Sequence, residues 1–396
     1  MRDKVQTATF YAACVFLFCY FLRIFHMPNE LTVIAGGVLC LMLAVQQKRI
    51  RIDLGIGLLA VSLVSYYVIL HGIDGLFYSI AYIPLVIYML ANYLAGSTGG
   101  ADNREKNLML LIFILLMGYS LHGLLNSYMW YAGYAVPGTR RWPDFWSGEI
   151  VPGTQHAAYF IPAMALFVPA LLYFKKRKWM SMMVIFLTAF FGYTALSTRS
   201  RMTILIFIIT AFVQCVMYAG FEWKTTKKQL KNKWLYILLG IVLAVMILGI
   251  IAVKDTPVVA AFISNLSKDG GILKNSRFTA QRLAIKQIFD YPLGGYQMNL
   301  GELKLTHNTW LDVANAAGII PFSLFAAYTI YSIYQIISIL ITKSLGTEKK
   351  LMILGIYVSF VLYFAVEPVL EASIHLLTPW ILLNGGVYGF LRKNIS

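Results

Sequence analysis

Hydrophobic positions in this chain come in long unbroken runs, not at the three- and four-residue spacing of a soluble amphipathic helix. A bilayer-spanning helix needs about 20 apolar residues. Twelve stretches meet or approach that length: 7–26, 31–46, 54–71, 76–96, 107–126, 157–174, 179–196, 202–221, 234–253, 315–341, 351–366 and 374–391, of which 31–46 is short for a span. The pattern predicts an all-α fold, a polytopic membrane helix bundle, with residues 1–396 as one integral-membrane domain. Most connections are short, but 127–156 and 254–310 are long outer loops, and long ordered loops usually carry function. Neither a repeat of 20–50 residues nor a likeness between the halves is visible, although an inverted-repeat transporter would be expected to show the latter.

Composition agrees: 59% of residues are hydrophobic, 13% are charged and mean hydropathy is +0.70. A formal charge of +16 would suit a nucleic-acid binder, so the placement of the charges decides. With the N-terminus inside, about two thirds of the Lys and Arg residues fall in cytoplasmic connections, in clusters such as Lys48–Arg49–Arg51, 175–178 and Lys224–Lys233. Nearly all the net charge is thus topology, both termini are expected to be cytoplasmic, and no nucleic-acid partner is called for. Arg2 and Lys4 precede an apolar run like that of a signal peptide, but the run lacks a small-residue cleavage site and reads as a retained span. The four cysteines, Cys14, Cys19, Cys40 and Cys215, lie in apolar stretches without CxxC or histidine spacing, so they read as packing residues and no metal site is expected.

Basic residues on the outer side oppose the topology rule and need another reason. They are mostly arginines: Arg140 and Arg141 in the first long loop, Arg199 and Arg201 in "ALSTRSRMTIL", and Arg277 and Arg282 in the second. An arginine fork grips phosphate bidentately. Arg199 and Arg201 sit among Ser and Thr at a turn that opens a helix, where free N–H groups also favour anions. "KNSRFTAQRLAIKQIFDYPLGGY" predicts an amphipathic outer helix, capped by Asn275 or Ser276, with Phe278, Ile285, Ile288 and Phe289 as its apolar stripe. Arg282, Lys286 and Asp290 read as a solvated face, whereas Arg277 in the first turn opposes the macrodipole unless an anion binds there.

His26, His71, His122, His156 and His375 fit hydrogen-bonded boundary residues. His307 differs in context: it follows the loop that carries Arg277, and "HNTWLDVANAAGI" leads from it into the bilayer. Many spans, an S-R boundary turn, a late loop with S-R, an amphipathic helix and P-x-G, then H-N-x-W-L-x(6)-G-I, together resemble the superfamily of O-antigen ligases and O-antigen (Wzy-type) polymerases. The resemblance is firmest over 197–205 and 276–320 and is otherwise topological. Two departures leave the register of the loop arginine open: Gln281 stands where the family often has tryptophan, and "LGGY" stands for G-x-G, so Arg282 competes with Arg277.

That resemblance implies a GT-C-like, metal-independent glycosyltransferase without cofactor, in the bacterial cytoplasmic membrane, acting on the extracytoplasmic face. The substrate it implies is a glycan on undecaprenyl diphosphate, and it allows a chain-length regulator as a protein partner. Arg201 and Arg277 would hold the diphosphate as its charge grows, and His307 would assist attack by the acceptor hydroxyl. Asn308 would hold a sugar hydroxyl or the imidazole, and Trp142, Trp146 and Tyr296 would offer stacking faces. Glu367 and Glu371, one turn apart, would pair with the arginines or touch the sugars, with a structural ion pair as the equal alternative. Polymerisation of lipid-linked repeats is favoured because no acceptor domain is appended; ligation to lipid or protein, and a flippase or other transporter, are the alternatives.

Overall fold

The computed structural model describes residues 2–97, 101–134, 136, 141–197, 201–225, 240 and 276–392. Among these the chain is mostly helical, and its only sheet is an antiparallel pair, Arg141–Pro143 with Ile150–Pro152. Among the described residues, eight helical stretches are long and apolar enough to cross a membrane: Lys4–Phe21, Asn29–Gln47, Leu54–Phe77, Asp102–Tyr131, Gly153–Tyr173, Met202–Phe221, Ile319–Ile341 and Ile374–Leu391. This is a membrane protein. The predicted stretches 179–196 and 351–366 also form helices, Lys178–Ser197 and Thr347–Phe364, while 234–253 lies outside the described residues save Gly240.

The chain falls into two compact units. The first comprises Met1–Tyr119, Lys274–Thr342 and Phe364–Ser396. It holds α1 (Arg2–Phe21), α2 (Asn29–Gln47), α3 (Leu54–His71), α4 (Ile83–Ala95) and the first part of α5 (Ala101–Tyr131). Close helix packing sets Gly385 and Gly389 of the last helix, Thr378–Leu391, against the backbone of Tyr88 and Asn92 in α4; a Cβ at either glycine would fall within 2.5 Å of a carbonyl oxygen.

The second unit comprises Ser120–Leu273 and Lys343–Tyr363. Residues 153–173 form three short segments, α6 (Gly153–Ala158), α7 (Ile161–Met164) and α8 (Phe167–Tyr173), where Pro162 and Pro169 interrupt the backbone ladder. Phe160, Phe167 and Leu171 pack against Phe207, Ala211 and Cys215 of α10 (Arg201–Thr225), which follows α9 (Lys178–Ser197). The described part of the predicted loop 127–156 is more ordered than a loop: α5 continues to Tyr131, and the sheet leads directly into α6.

Back in the first unit, the described part of 254–310 opens with α11 (Ser276–Gln287), and α12 (Thr309–Ala317) and α13 (Ile319–Ile341) follow. The predicted span 315–341 is corrected here. Gly318 adopts φ +84 and breaks the helix, so "TWLDVANAA" is a separate helix and the span starts at Ile319. The break is sealed by backbone pairing, with Ile319 N donating to Pro292 O at 2.9 Å and Gly295 N to Ala316 O at 2.8 Å. A Cβ on Gly318 would meet Pro292 O at 2.2 Å, and one on Gly294 would meet Gly318 N at 2.4 Å, so the "PLGG" and "AAGI" segments need glycine at both places. After α14 (Thr347–Phe364) come α15 (Val369–Ala372) and α16 (Thr378–Leu391).

The apolar stripe expected on α11 is also corrected. Its buried seam is Ala280, Ala284 and Ile288, packed on Leu311 and Ala314 of α12 and on Met298 and Leu300, whereas Phe278, Ile285 and Phe289 are exposed. Small side chains let the two helices approach closely, a preference that a hydrophobicity pattern undervalues.

Candidate active site around His307

Three segments of the first unit meet at His307: α11, residues 306–309 at the start of α12, and the turn 365–369 between α14 and α15. The second of these is shaped locally. Asn308 is the N-cap of α12, and its Oδ1 accepts from Leu311 N at 3.1 Å. Asp312 lies in the first turn, where a carboxylate suits the helix dipole. Its Oδ1 accepts from the Thr306 backbone N at 2.6 Å and the Thr306 hydroxyl at 2.8 Å, and its Oδ2 accepts from Asn308 N at 3.1 Å. These bonds grip the chain on both sides of His307, which takes φ +55, a left-handed conformation uncommon outside glycine. Burial raises the Asp312 pKa from its ordinary value, opposed by the hydrogen bonds from Thr306 and Asn308.

The His307 side chain is 24% exposed. Its Nδ1 has no hydrogen-bond partner and stands 3.8 Å from Oε2 of the buried Glu367. The other Glu367 oxygen accepts from Arg277 Nη1 at 3.1 Å, and the same nitrogen donates to Val366 O at 3.1 Å. A carboxylate thus sits between a guanidinium and an imidazole. One turn along α11 from Arg277, Gln281 Nε2 donates to His307 O at 3.4 Å and Ala365 O at 3.3 Å. Asn308 Nδ2 also donates to Ala365 O at 3.3 Å, and the Thr309 hydroxyl donates to Glu367 O at 2.8 Å while accepting from Val369 N at 3.2 Å.

A second acidic position lies on the same unit. Glu371 of α15 is hydrogen-bonded to Tyr296, which is also bonded to Tyr66 of α3, and its Oε1 is buried without a partner. Burial, reinforced by the nearby charge of Asp312, pushes its carboxyl up to about 8. The Tyr296 hydroxyl is pushed up to about 12 by burial and then by the charge of Glu371.

The structure therefore brings together His307, Arg277 and Glu367, with Asn308 as a cap. Arg282 is exposed on a different face of α11 from the one that carries Arg277 and Gln281. In the second unit Arg141 is exposed on the first strand, and Arg201 begins α10, with its side chain outside the described residues; Arg140 and Arg199 lie outside them entirely. Trp142 cannot offer a stacking face, because it is fully buried against Trp130 and His156.

Two contributors went unnoticed in the sequence. Asp312, four residues after the cap, was legible in principle as an acid in a first helical turn; Gln281 read only as a missing tryptophan. Among the described residues, no group of three or more His, Cys, Asp or Glu side chains could hold a metal ion. No protein-family model matches the chain, and no curated protein matches it.

Proposed function

We propose that this protein is a membrane glycosyltransferase that polymerises oligosaccharide repeats carried on undecaprenyl diphosphate, at the extracytoplasmic face of a bacterial cytoplasmic membrane. The observation that carries the reading is the Arg277–Glu367–His307 alignment, which joins two of the three residues implied by the resemblance. His307 is held in a rare backbone conformation with Nδ1 unbonded. With Nδ1 turned toward Glu367, the other ring nitrogen of the imidazole accepts the proton of an attacking sugar hydroxyl. Glu367 stabilises the imidazolium that forms, and Arg277, displaced from Glu367 by the stronger charge of a diphosphate, stabilises the leaving group. Arg201 is carried by the sequence as the second phosphate ligand.

The test uses purified protein and a synthetic lipid-diphosphate repeat. Products that lengthen without any gradient support transfer, and movement of unchanged substrate across a vesicle would indicate transport instead. If Arg277→Lys retains activity while Arg282→Lys loses it, the assignment of Arg277 fails.

A further inference from the structure

Apart from its buried seam, α11 has a second apolar face. At roughly 100° per residue, Phe278, Ile285 and Phe289 fall on one strip about a third of a turn from the seam, and Arg282 and Lys286 border its far side. Phe278, Ile285 and Phe289 are 42%, 61% and 78% exposed, and Leu293 in the following loop is 79% exposed. A contiguous apolar patch rimmed by charge marks an interaction site.

Backbone geometry fixes where this strip lies. The loop that bears Leu293 is tied to the first turn of α13 by the Ile319 N to Pro292 O bond and to the last turn of α12 by the Gly295 N to Ala316 O bond. That helix is long and apolar enough to cross a membrane, and Ile320 in its first turn is also exposed. The strip therefore extends from the level at which a span begins.

We propose that α11 lies in the membrane interface, with Phe278, Ile285, Phe289 and Leu293 among the acyl chains of one phospholipid leaflet and Arg282 and Lys286 at its phosphate groups. An amphipathic helix with cations beside its apolar face suits that boundary, where the stems lie along hydrocarbon and the charged heads reach the phosphates. The opposite edge of the same helix carries Arg277 and Gln281, so the bilayer surface sets the depth of the His307 cluster. This docking is independent of the function proposed above.

The test places an environment-sensitive fluorescent amino acid at position 289, 293 or 279 of the full chain, with position 320 as the reference within the span. Samples with an unchanged thermal midpoint are reconstituted in phosphatidylcholine and phosphatidylglycerol vesicles. Quenching by a lipid with a nitroxide near the headgroup end of its acyl chain should be several-fold stronger at 289 and 293 than at 279, with aqueous iodide showing the reverse order. Equal lipid quenching at 289 and 279 would overturn the proposal. So would a probe at 289 shielded from both quenchers, as a second copy of the chain would leave it. In the same vesicles Arg282→Glu with Lys286→Glu should reduce lipid quenching at 289 by about half, as the attraction to the anionic surface is lost; unchanged quenching would remove the phosphate contact from the proposal.

Discussion

Each of the two units contains a histidine beside a carboxylate, and the two pairs are built for different ends. In the second unit His122 Nε2 is 2.9 Å from Asp144 Oδ2, and both residues are almost wholly buried. Asn126 donates to the same carboxylate at 2.9 Å, its Oδ1 accepts from Phe145 N at 2.8 Å, and the other Asp144 oxygen accepts from Trp146 N and Ser147 N. These bonds engage both Asp144 oxygens and pin residues 144–147 to α5, which leaves that carboxylate little for a substrate. His307 in the first unit has the opposite character: partly exposed, farther from its carboxylate and held in a left-handed backbone conformation. Proximity of histidine to acid does not separate structure from chemistry here; a part-exposed ring on a constrained backbone does.

Mutation should split the pairs. His307→Ala is expected to lower transfer by about 10²- to 10⁴-fold, the range for a lost general base, with an unchanged thermal midpoint. His122→Ala should do the reverse: it leaves Asp144 buried without its histidine and costs roughly 3–5 kcal/mol of stability, read as lower folded yield and midpoint. A stable but inactive His122→Ala would break the comparison. Gly318→Ala is expected to destabilise by roughly 2–5 kcal/mol, since it adds backbone strain and a clash with Pro292 O; thermal unfolding in detergent measures it. Asp312→Ala removes three accepted hydrogen bonds and frees the backbone of His307, so activity should fall about tenfold or more while stability falls by roughly 2–3 kcal/mol.

The smallest effect concerns pH. Glu371 has its pKa raised from 4.5 to about 8 by burial and the charge of Asp312. The folded state therefore keeps a proton that the unfolded chain releases. This contribution is fully present below pH 4.5 and is lost as pH rises through about 8. Glu371→Gln should flatten the fall in thermal midpoint between those values; an identical slope in the variant would remove Glu371 as its source.

Long apolar runs made the membrane helices legible, because a span needs little beyond length and hydrophobicity. The break at Gly318 was not, since alanine and isoleucine continue the apolar pattern through it and only the backbone bond to Pro292 reveals its purpose. His307 and Arg277 were visible as polar residues where lipid or topology disfavoured them. Glu367 could be suspected only as an ion-pair partner, because its role depends on a turn about 60 residues downstream folding back on Thr309. Trp142 misled because an aromatic near a boundary looks interfacial until its burial is known.

The most direct test of the account is a product-length assay on purified, reconstituted protein supplied with a synthetic undecaprenyl-diphosphate repeat, comparing the native chain with folded His307→Ala. The account predicts a ladder of lengthened glycans from the native chain and, over the same reaction time, about a hundredfold less product or lower still from the variant. A normal ladder from His307→Ala would contradict it.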